Sequence, residues 1–342
     1  FGDLWKKVRG EVRRQKAQKT PKMPEPVPEG VPLCDVCGLR PKVREDTRPY
    51  RVLPYDASPR PEGLCEVCWS RRFSPFSKGC PIDDLADEQD YIAVIKLDGD
   101  EMGKVFSGEV LKKEFGKEVT PSRIAFISRY VDEACKNLEK VVRKYGGEAI
   151  YAAGDDILAI VGGRHGFKCA LELYETFTEA MHRRATASAG LVLSKKKFPI
   201  YVSLRVLDRL LRNAKEMGRD SVDFSVIYQV GVTEEDVSAE RRREMQRRKL
   251  SNRPYKWREF REFLSFLETL RTGHGIAPSQ LRRIATILTS STGPERFKQA
   301  LVLIKSGVGR GIISYEDAKE LIDGVEKGSI LDAVSVLKRV GG

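Results

Sequence analysis

The sequence has no run of about 18 apolar residues, so it offers no helix able to span a bilayer. It has no initiator methionine and no secretory signal: Phe1 leads straight into a basic stretch. The expectation is a fragment or a trimmed chain. Histidine is scarce. His165, His182 and His274 are all there is, and none is followed by aspartate. No internal repeat is visible. The seven cysteines come without a secretion signal, which points to free thiols in a reducing cytoplasm.

What is present describes a globular chain of 342 residues, enough for two or three domains. Apolar residues make up 41% and charged residues 32%, a charged fraction that leans toward a thermophile. The net charge of +12 is unevenly placed. Residues 1–22 hold eight Lys/Arg against two acids, and residues 240–258 hold nine against two. Such patches suit a polyanion, RNA or DNA, although a solvated helical face would have the same composition.

The chain reads in five parts. Residues 1–33 are a basic segment and a proline-rich linker, with five prolines between positions 15 and 33. Residues 34–87 form a four-cysteine module. Cys34-x-x-Cys37 and Cys65-x-x-Cys68 are two knuckles separated by 27 residues. Their spacing lets four thiolates converge on one ion, with zinc the first choice and iron also possible. With every ligand a thiolate, no position stays open for a substrate, so the role is structural. Trp69 and Tyr50 are placed to cover the ion. Cys135 and Cys169 fall in helical patterns, where cysteine acts as a small apolar residue.

Residues 88–232 alternate between strand and helix patterns. A strand over 91–98 is followed by a helix near 121–145, punctuated by Thr120-Pro121 and by Gly146-Gly147. A hairpin over 148–162 turns at Asp155-Asp156. A helix over 165–184 and a strand over 185–193 complete βαββαβ, a ferredoxin-like order. A helix over 200–217 and a strand over 224–230 extend it. Residues 233–256 are a charged linker or insertion. Residues 257–342 form an all-helical domain, with helices over 257–271, 278–290, 294–306, 314–327 and 329–340. The fold class is α+β.

The chemistry sits at the strand ends. Apolar strands are buried, and carboxylates beside a buried sheet need compensation. In βαββαβ order the first and third strands are neighbours, so Asp98 meets Asp155 or Asp156. Carboxylates gathered there can hold two Mg²⁺ or Mn²⁺ ions about 3.5–4 Å apart, as nucleotidyl transfer requires. Gly99 lets its carbonyl approach a metal. The turn that follows presents backbone N–H groups and Lys104 to an anion. Lys215, ending the helix after the sheet, can reach a triphosphate. Taken alone, Gly154-Asp155-Asp156 is also a common turn sequence; its pairing with Asp98 is what makes it a site.

Leu97-Asp-Gly-Asp-Glu-Met-Gly-Lys-Val-Phe-Ser-Gly108, Tyr151-Ala-Ala-Gly-Asp-Asp156 and Ala187-Ser-Ala-Gly-Leu191 resemble the second palm of the large polymerase/cyclase-like subunit of type III CRISPR effector complexes. The form after Leu97 is nearer the Cmr branch than the Csm branch. The resemblance covers most of residues 30–342, since in that family a zinc module precedes the palm and a helical domain follows it. It implies ATP as substrate, cyclic oligoadenylate as product on target RNA binding, and crRNA, target RNA and other effector subunits as partners. It implies Asp98, the Gly99 carbonyl, Asp155 and Asp156 as the metal site, with Gly103, Lys104 and Lys215 lining the ATP site.

Two departures stand out. Ala153 replaces the first glycine of the usual Gly-Gly-Asp-Asp, which matters if that glycine needs positive φ. The family subunit also begins with an HD nuclease domain and a first palm, and this sequence has no His-Asp dipeptide and one palm. Two other readings follow: a silent scaffold palm that binds RNA and partner subunits, and a diguanylate cyclase-like enzyme.

Overall fold

In the computed structural model the described residues are 28, 30–50, 60–73, 82–109, 112, 116, 120–227, 235, 239, 251–272, 278–290 and 295–340. The basic stretch 1–22, most of the proline-rich linker, the loop 51–59 and the arginine-rich run 240–250 lie outside them. The chain divides into two compact units, residues 3–80 and residues 81 onward.

The first unit holds an antiparallel hairpin, β1 (Arg44–Tyr50) and β2 (Arg60–Leu64), followed by helix α1 (Glu66–Phe73). Its core is small: Cys34, Leu64 and Cys65 are buried, with Cys37, Val67, Cys68 and Trp69 packed around them. So little apolar area gives only marginal stability on its own, as is usual for modules that depend on a metal.

The second unit is built on a six-stranded sheet. After the one-turn helix α2 (Ile82–Leu85) come β3 (Tyr91–Gly99), α3 (Met102–Ser107), α4 (Pro121–Lys144), β4 (Glu148–Ala153), β5 (Asp156–Gly162), α5 (Gly166–Ala180) and β6 (Ala187–Lys195). Then follow α6 (Ile200–Glu216) and β7 (Ser221–Val226). The sheet order is β4-β5-β3-β6-β7-β8, where β8 is Tyr255–Lys256. The βαββαβ core is therefore ferredoxin-like, with the 91–99 and 156–162 strands adjacent and antiparallel. The last palm strand begins at Ser221, three residues before the expected 224.

Local chemistry explains the helices that flank this sheet. Helix α4 starts on Thr120, whose hydroxyl accepts the Arg123 N–H at 3.3 Å, and on Pro121, whose missing N–H costs nothing at a helix start. It buries Val131, Ala134, Cys135, Leu138, Val141 and Val142, a single stripe of period 3.6. Helix α6 buries Val202, Val206, Leu207, Leu210, Leu211 and Ala214 in the same way. Odd-numbered residues of β3 (Tyr91, Ala93, Ile95, Leu97) join the α4/α5 core, while Ile92 and Val94 join the α6 core. The alternation of the strand puts Lys96 and Asp98 on the α6 side.

Among the described residues five helices follow: α7 (Trp257–Thr272), α8 (Pro278–Ser290), α9 (Glu295–Gly309), α10 (Tyr315–Lys327) and α11 (Ile330–Val340). They share one apolar core with the palm, which runs from Leu97, Phe167 and Phe224 through Phe260 and Phe263 to Leu288 and Leu321. Tyr255 and Lys256, expected within a charged linker, extend the sheet by pairing with Val222 and Ser221. Among the described residues no helix is long and apolar enough to cross a membrane.

Candidate functional site

Register brings the aspartates together. On β3 and β5 Asp98 lies directly opposite Asp156, so both side chains leave the same face of the sheet. The Gly99 N–H donates to the Asp155 carbonyl at 2.9 Å, which pins the hairpin turn against the end of β3. The hairpin turns at Gly154-Asp155, with Asp156 already in the strand. Gly154 takes φ +66°, the left-handed conformation that glycine adopts without strain. Ala153 is the last residue of β4, paired with Asp156, exposed, and not at positive φ. The first glycine of the usual motif thus stands at a position where alanine fits without backbone strain.

The three carboxylates differ in their surroundings. Asp98 Oδ1 is 2.5 Å from the Lys215 ammonium. Asp156 Oδ2 accepts from the Tyr151 hydroxyl at 3.0 Å, while its Oδ1 is buried without a hydrogen-bond partner. Burial, first of all, pushes the Asp155 carboxyl above the ordinary carboxylate range, and the charges of Asp98 and Asp156 add to it. Burial does the same to Asp156, against the partial relief of the Tyr151 hydrogen bond and of Lys96. Lys96 is committed elsewhere, to Asp208 at 2.7 Å. Tyr151, pushed up to about 12 by burial and by Asp156, is a hydroxyl donor at neutral pH.

Asp155 and Asp156 are raised in proton affinity, and Asp156 keeps one orphaned buried oxygen. A divalent cation would neutralise that deficit, so the residues present fit the ion. Their carboxylate oxygens are not all within 4.8 Å of one another, a spacing met among the described residues by the four cysteines alone.

Gly99 is needed where it stands. A Cβ there would lie 2.7 Å from Met102 Cγ and 2.9 Å from both Asp155 Cβ and Phe177 Cζ. Gly103, exposed in the first turn of α3, borders open space. Lys104 does not reach the aspartates: it is exposed and pairs with Glu101 at 2.7 Å.

Asp100, two residues past Asp98, has a different task. It is 5% exposed and accepts from Thr186 Oγ1 at 2.8 Å, Ser188 Oγ at 2.7 Å and the Asp220 N–H at 3.0 Å. These bonds tie the strand end to the start of β6 and to the segments just before β6 and β7. The sequence displays Asp98 and Asp100 alike. Tyr151, two strands from Asp98 in the sheet, also carried no sequence signal as a partner of Asp156.

In the other unit, the sulfur atoms of Cys34, Cys37, Cys65 and Cys68 all lie within 4.8 Å of one another, and all are free thiols. Asp35 joins the two knuckles, accepting the Gly63 N–H at 2.6 Å and pairing with Lys42 at 2.8 Å. Burial works to raise the Cys34 thiol, but the N–H groups of Cys37, Cys65 and Val36 outweigh it and bring it to about 6. Cys68 is pushed up to about 12, by burial and then by the neighbouring thiols. Thiols crowded in this way fit a cation that takes them as thiolates, and the cluster can hold zinc. Trp69 packs against it; the Tyr50 side chain lies outside the described residues.

Comparison with known proteins adds to this geometry. Residues 91–223 match the family described as Cas10/Cmr2, second palm domain. A Cmr subunit Cmr2 from Pyrococcus furiosus is 28% identical over 172 residues, which is 43% of this chain and 20% of that protein. A single-strand-specific deoxyribonuclease Cas10/Csm1 of subtype III-A from Streptococcus thermophilus is 30% identical over 139 residues, 40% of this chain and 18% of that protein. The chain thus spans about a fifth of the length of these curated relatives. Among solved structures, Csm1 of T. onnurineus superposes with a TM-score of 0.56 at 19% identity, covering 77% of this chain and 40% of that one. A Csm1-Csm4 cassette in complex with cA4 gives 0.51 at 19% identity, covering 76% and 39%. At that identity the likeness is one of fold.

Proposed function

We propose that this Cas10-like chain of type III CRISPR systems, carrying a second palm of the Cas10/Cmr2 family, binds ATP with a divalent cation at Asp98, Asp155 and Asp156 and takes part in making cyclic oligoadenylate. The observation that carries this reading is the cross-strand pair Asp98–Asp156, with one Asp156 oxygen buried and unpartnered. When bound, Mg²⁺ or Mn²⁺ supplies a lowered pKa at the attacking ribose hydroxyl and positive charge at the leaving pyrophosphate. Asp98 and Asp156 hold the cation from one face of the sheet, and Asp155 does so from the turn. Gly99 keeps side-chain bulk away from them and offers its carbonyl. Gly103 leaves room beside α3 for the nucleotide, and Lys215 turns to the triphosphate. Lys104 reaches a phosphate by leaving Glu101. A second palm supplies the opposite face of the ATP pair in the assembled complex.

The same proposal includes zinc on Cys34, Cys37, Cys65 and Cys68, crRNA and target RNA as ligands of the basic segments, neighbouring effector subunits as partners, and a reducing cytoplasm that keeps the thiols free. The solved relatives in complex with cA4, and with one ATP, support the choice of nucleotide. The palm family match supports this enzyme class over a diguanylate cyclase.

The scaffold reading draws on one observation. Lys215 already neutralises Asp98, and a palm that has lost its metal would look the same. The decisive assay uses the complete complex with guide RNA, target RNA and radiolabelled ATP. Wild type should yield cyclic product and Asp155→Ala/Asp156→Ala should yield none. Product in both, or in neither, would sink the catalytic assignment. Metal analysis of the purified chain should find one zinc per chain, lost in Cys65→Ser.

A further inference from the structure

We propose that Lys215 is the resident counter-ion of the aspartate cluster, and that it makes the divalent cation and the triphosphate bind as a pair. The inference rests on the metal–nucleotide reading of the same site and goes beyond it, because it predicts how the two ligands depend on each other.

The geometry is specific. Lys215 Nζ lies 2.5 Å from Asp98 Oδ1, and both side chains are largely withdrawn from solvent, at 31% and 29% exposure. Lys215 stands in the last turn of α6, where the helix dipole favours a cation. Its backbone is held in place: Asn213 donates to Asp223 at 3.2 Å, and the buried Ala214 carbonyl accepts from Ser221 Oγ at 2.8 Å. Two turns earlier, Asp208 of the same helix takes Lys96 of β3. Strand and helix thus exchange charges twice, with opposite polarity. The Lys215 pair borders two further carboxylates, since Asp156 faces Asp98 across the strands and Asp155 lies against Gly99, whereas Lys96 is near Asp156 alone.

Two cations cannot share one carboxylate oxygen at such distances without strong repulsion. A metal arriving at Asp98 therefore displaces the ammonium, and a half-buried ammonium without a partner is costly. A triphosphate supplies the missing anion. A triphosphate arriving without metal meets the carboxylates of Asp98, Asp155 and Asp156 with Lys215 still engaged. Each ligand removes the penalty of the other, and such coupling is reciprocal, typically about 5–150-fold. The consequence is a site that takes metal and nucleotide together and leaves free metal largely unbound.

The test measures binding, not turnover. Mn²⁺ is titrated into the full chain by electron paramagnetic resonance, without nucleotide, with Asp98→Asn as the blank for sites elsewhere. Lys215→Met should bind Mn²⁺ about tenfold more tightly than wild type, and Lys215→Arg, which keeps the charge, should match wild type. A parallel titration with Mn²⁺ and a non-hydrolysable ATP analogue should show tight binding in wild type and weaker nucleotide binding in Lys215→Met. Circular dichroism and melting confirm that each variant folds. If Lys215→Met binds Mn²⁺ no more tightly than wild type while wild type binds the Mn²⁺–nucleotide pair, the counter-ion role is overturned and the metal–nucleotide site stands. If wild type binds neither Mn²⁺ nor the pair, both fall.

Discussion

Two carboxylate sites in this molecule, one fully buried and one half-buried, are finished to different degrees. At the junction of palm and helical segment, Asp332 is 1% exposed. Its Oδ1, which like Asp156 Oδ1 makes no hydrogen bond, is ion-paired with Arg253 Nε at 2.9 Å, and its Oδ2 accepts from the Tyr255 hydroxyl at 2.6 Å and from Ser251 Oγ at 3.1 Å. Arg253 continues the network to the Phe224 carbonyl at 2.9 Å, so the sheet edge and α11 are fastened by one buried knot. At the open end of the sheet, Asp98 has a lysine, Asp156 has one hydroxyl and an orphaned oxygen, and Asp155 is held above its ordinary pKa by burial and by its neighbours. A carboxylate matched from within the chain holds structure. The half-buried aspartates of the proposed metal site are left short of positive charge, so the two sites differ in their partners as well as in their burial.

That contrast can be broken most sharply at Asp332. Asp332→Ala leaves the Arg253 guanidinium buried and uncompensated, which costs about 3–5 kcal/mol. A melting curve should fall by on the order of 10 °C. Gly99→Ala comes next. The added methyl collides with Met102, Asp155 and Phe177, and overpacking of this kind costs about 1–3 kcal/mol. Melting should show the loss, and calorimetry should show weaker Mg²⁺–ATP binding.

Asp155→Asn with Asp156→Asn should act in the opposite direction. Both carboxyls are raised in the folded state, so the native chain holds their protons more tightly than the unfolded chain does. The contribution of these two groups to stability is then greatest at acid pH and declines as pH climbs from the ordinary aspartate value through the raised ones. Without metal at pH 7 the double variant should melt higher than wild type, by on the order of 2 °C. Melting followed across pH in chelator should show that the declining limb has gone. The smallest effect belongs to Ala153→Gly. It should lose about 0.5–1 kcal/mol from the strand end and leave Mg²⁺–ATP binding unchanged, because Ala153 is already relaxed.

Much of this was legible in the residues. Period-2 and period-3.6 patterns placed β3, the hairpin and the flanking helices, and the βαββαβ order alone put Asp98 beside the Asp155-Asp156 turn. Proline, glycine and capping residues located the C-terminal helices to within a few positions. The rest depended on partners distant in sequence. Nothing in Asp98-Gly-Asp100 says that the first aspartate faces Lys215 while the second is enclosed by Thr186 and Ser188. Tyr255-Lys256 is too short to stand out as a strand, and its place at the sheet edge follows from packing of Tyr255 and Trp257 against the palm. Lys104, attractive next to the motif, pairs along its own helix with Glu101, a contact only the backbone geometry of α3 reveals.

The central claim is that the aspartate end of the sheet is incomplete until cation and nucleotide arrive. The most direct measurement melts the chain with Mg²⁺ and a non-hydrolysable ATP analogue at about a hundred times their dissociation constant, where binding adds roughly 2.7 kcal/mol. A rise of several degrees in wild type, absent in Asp155→Asn/Asp156→Asn, is the predicted result. No rise in wild type, or an equal rise in both, would contradict it.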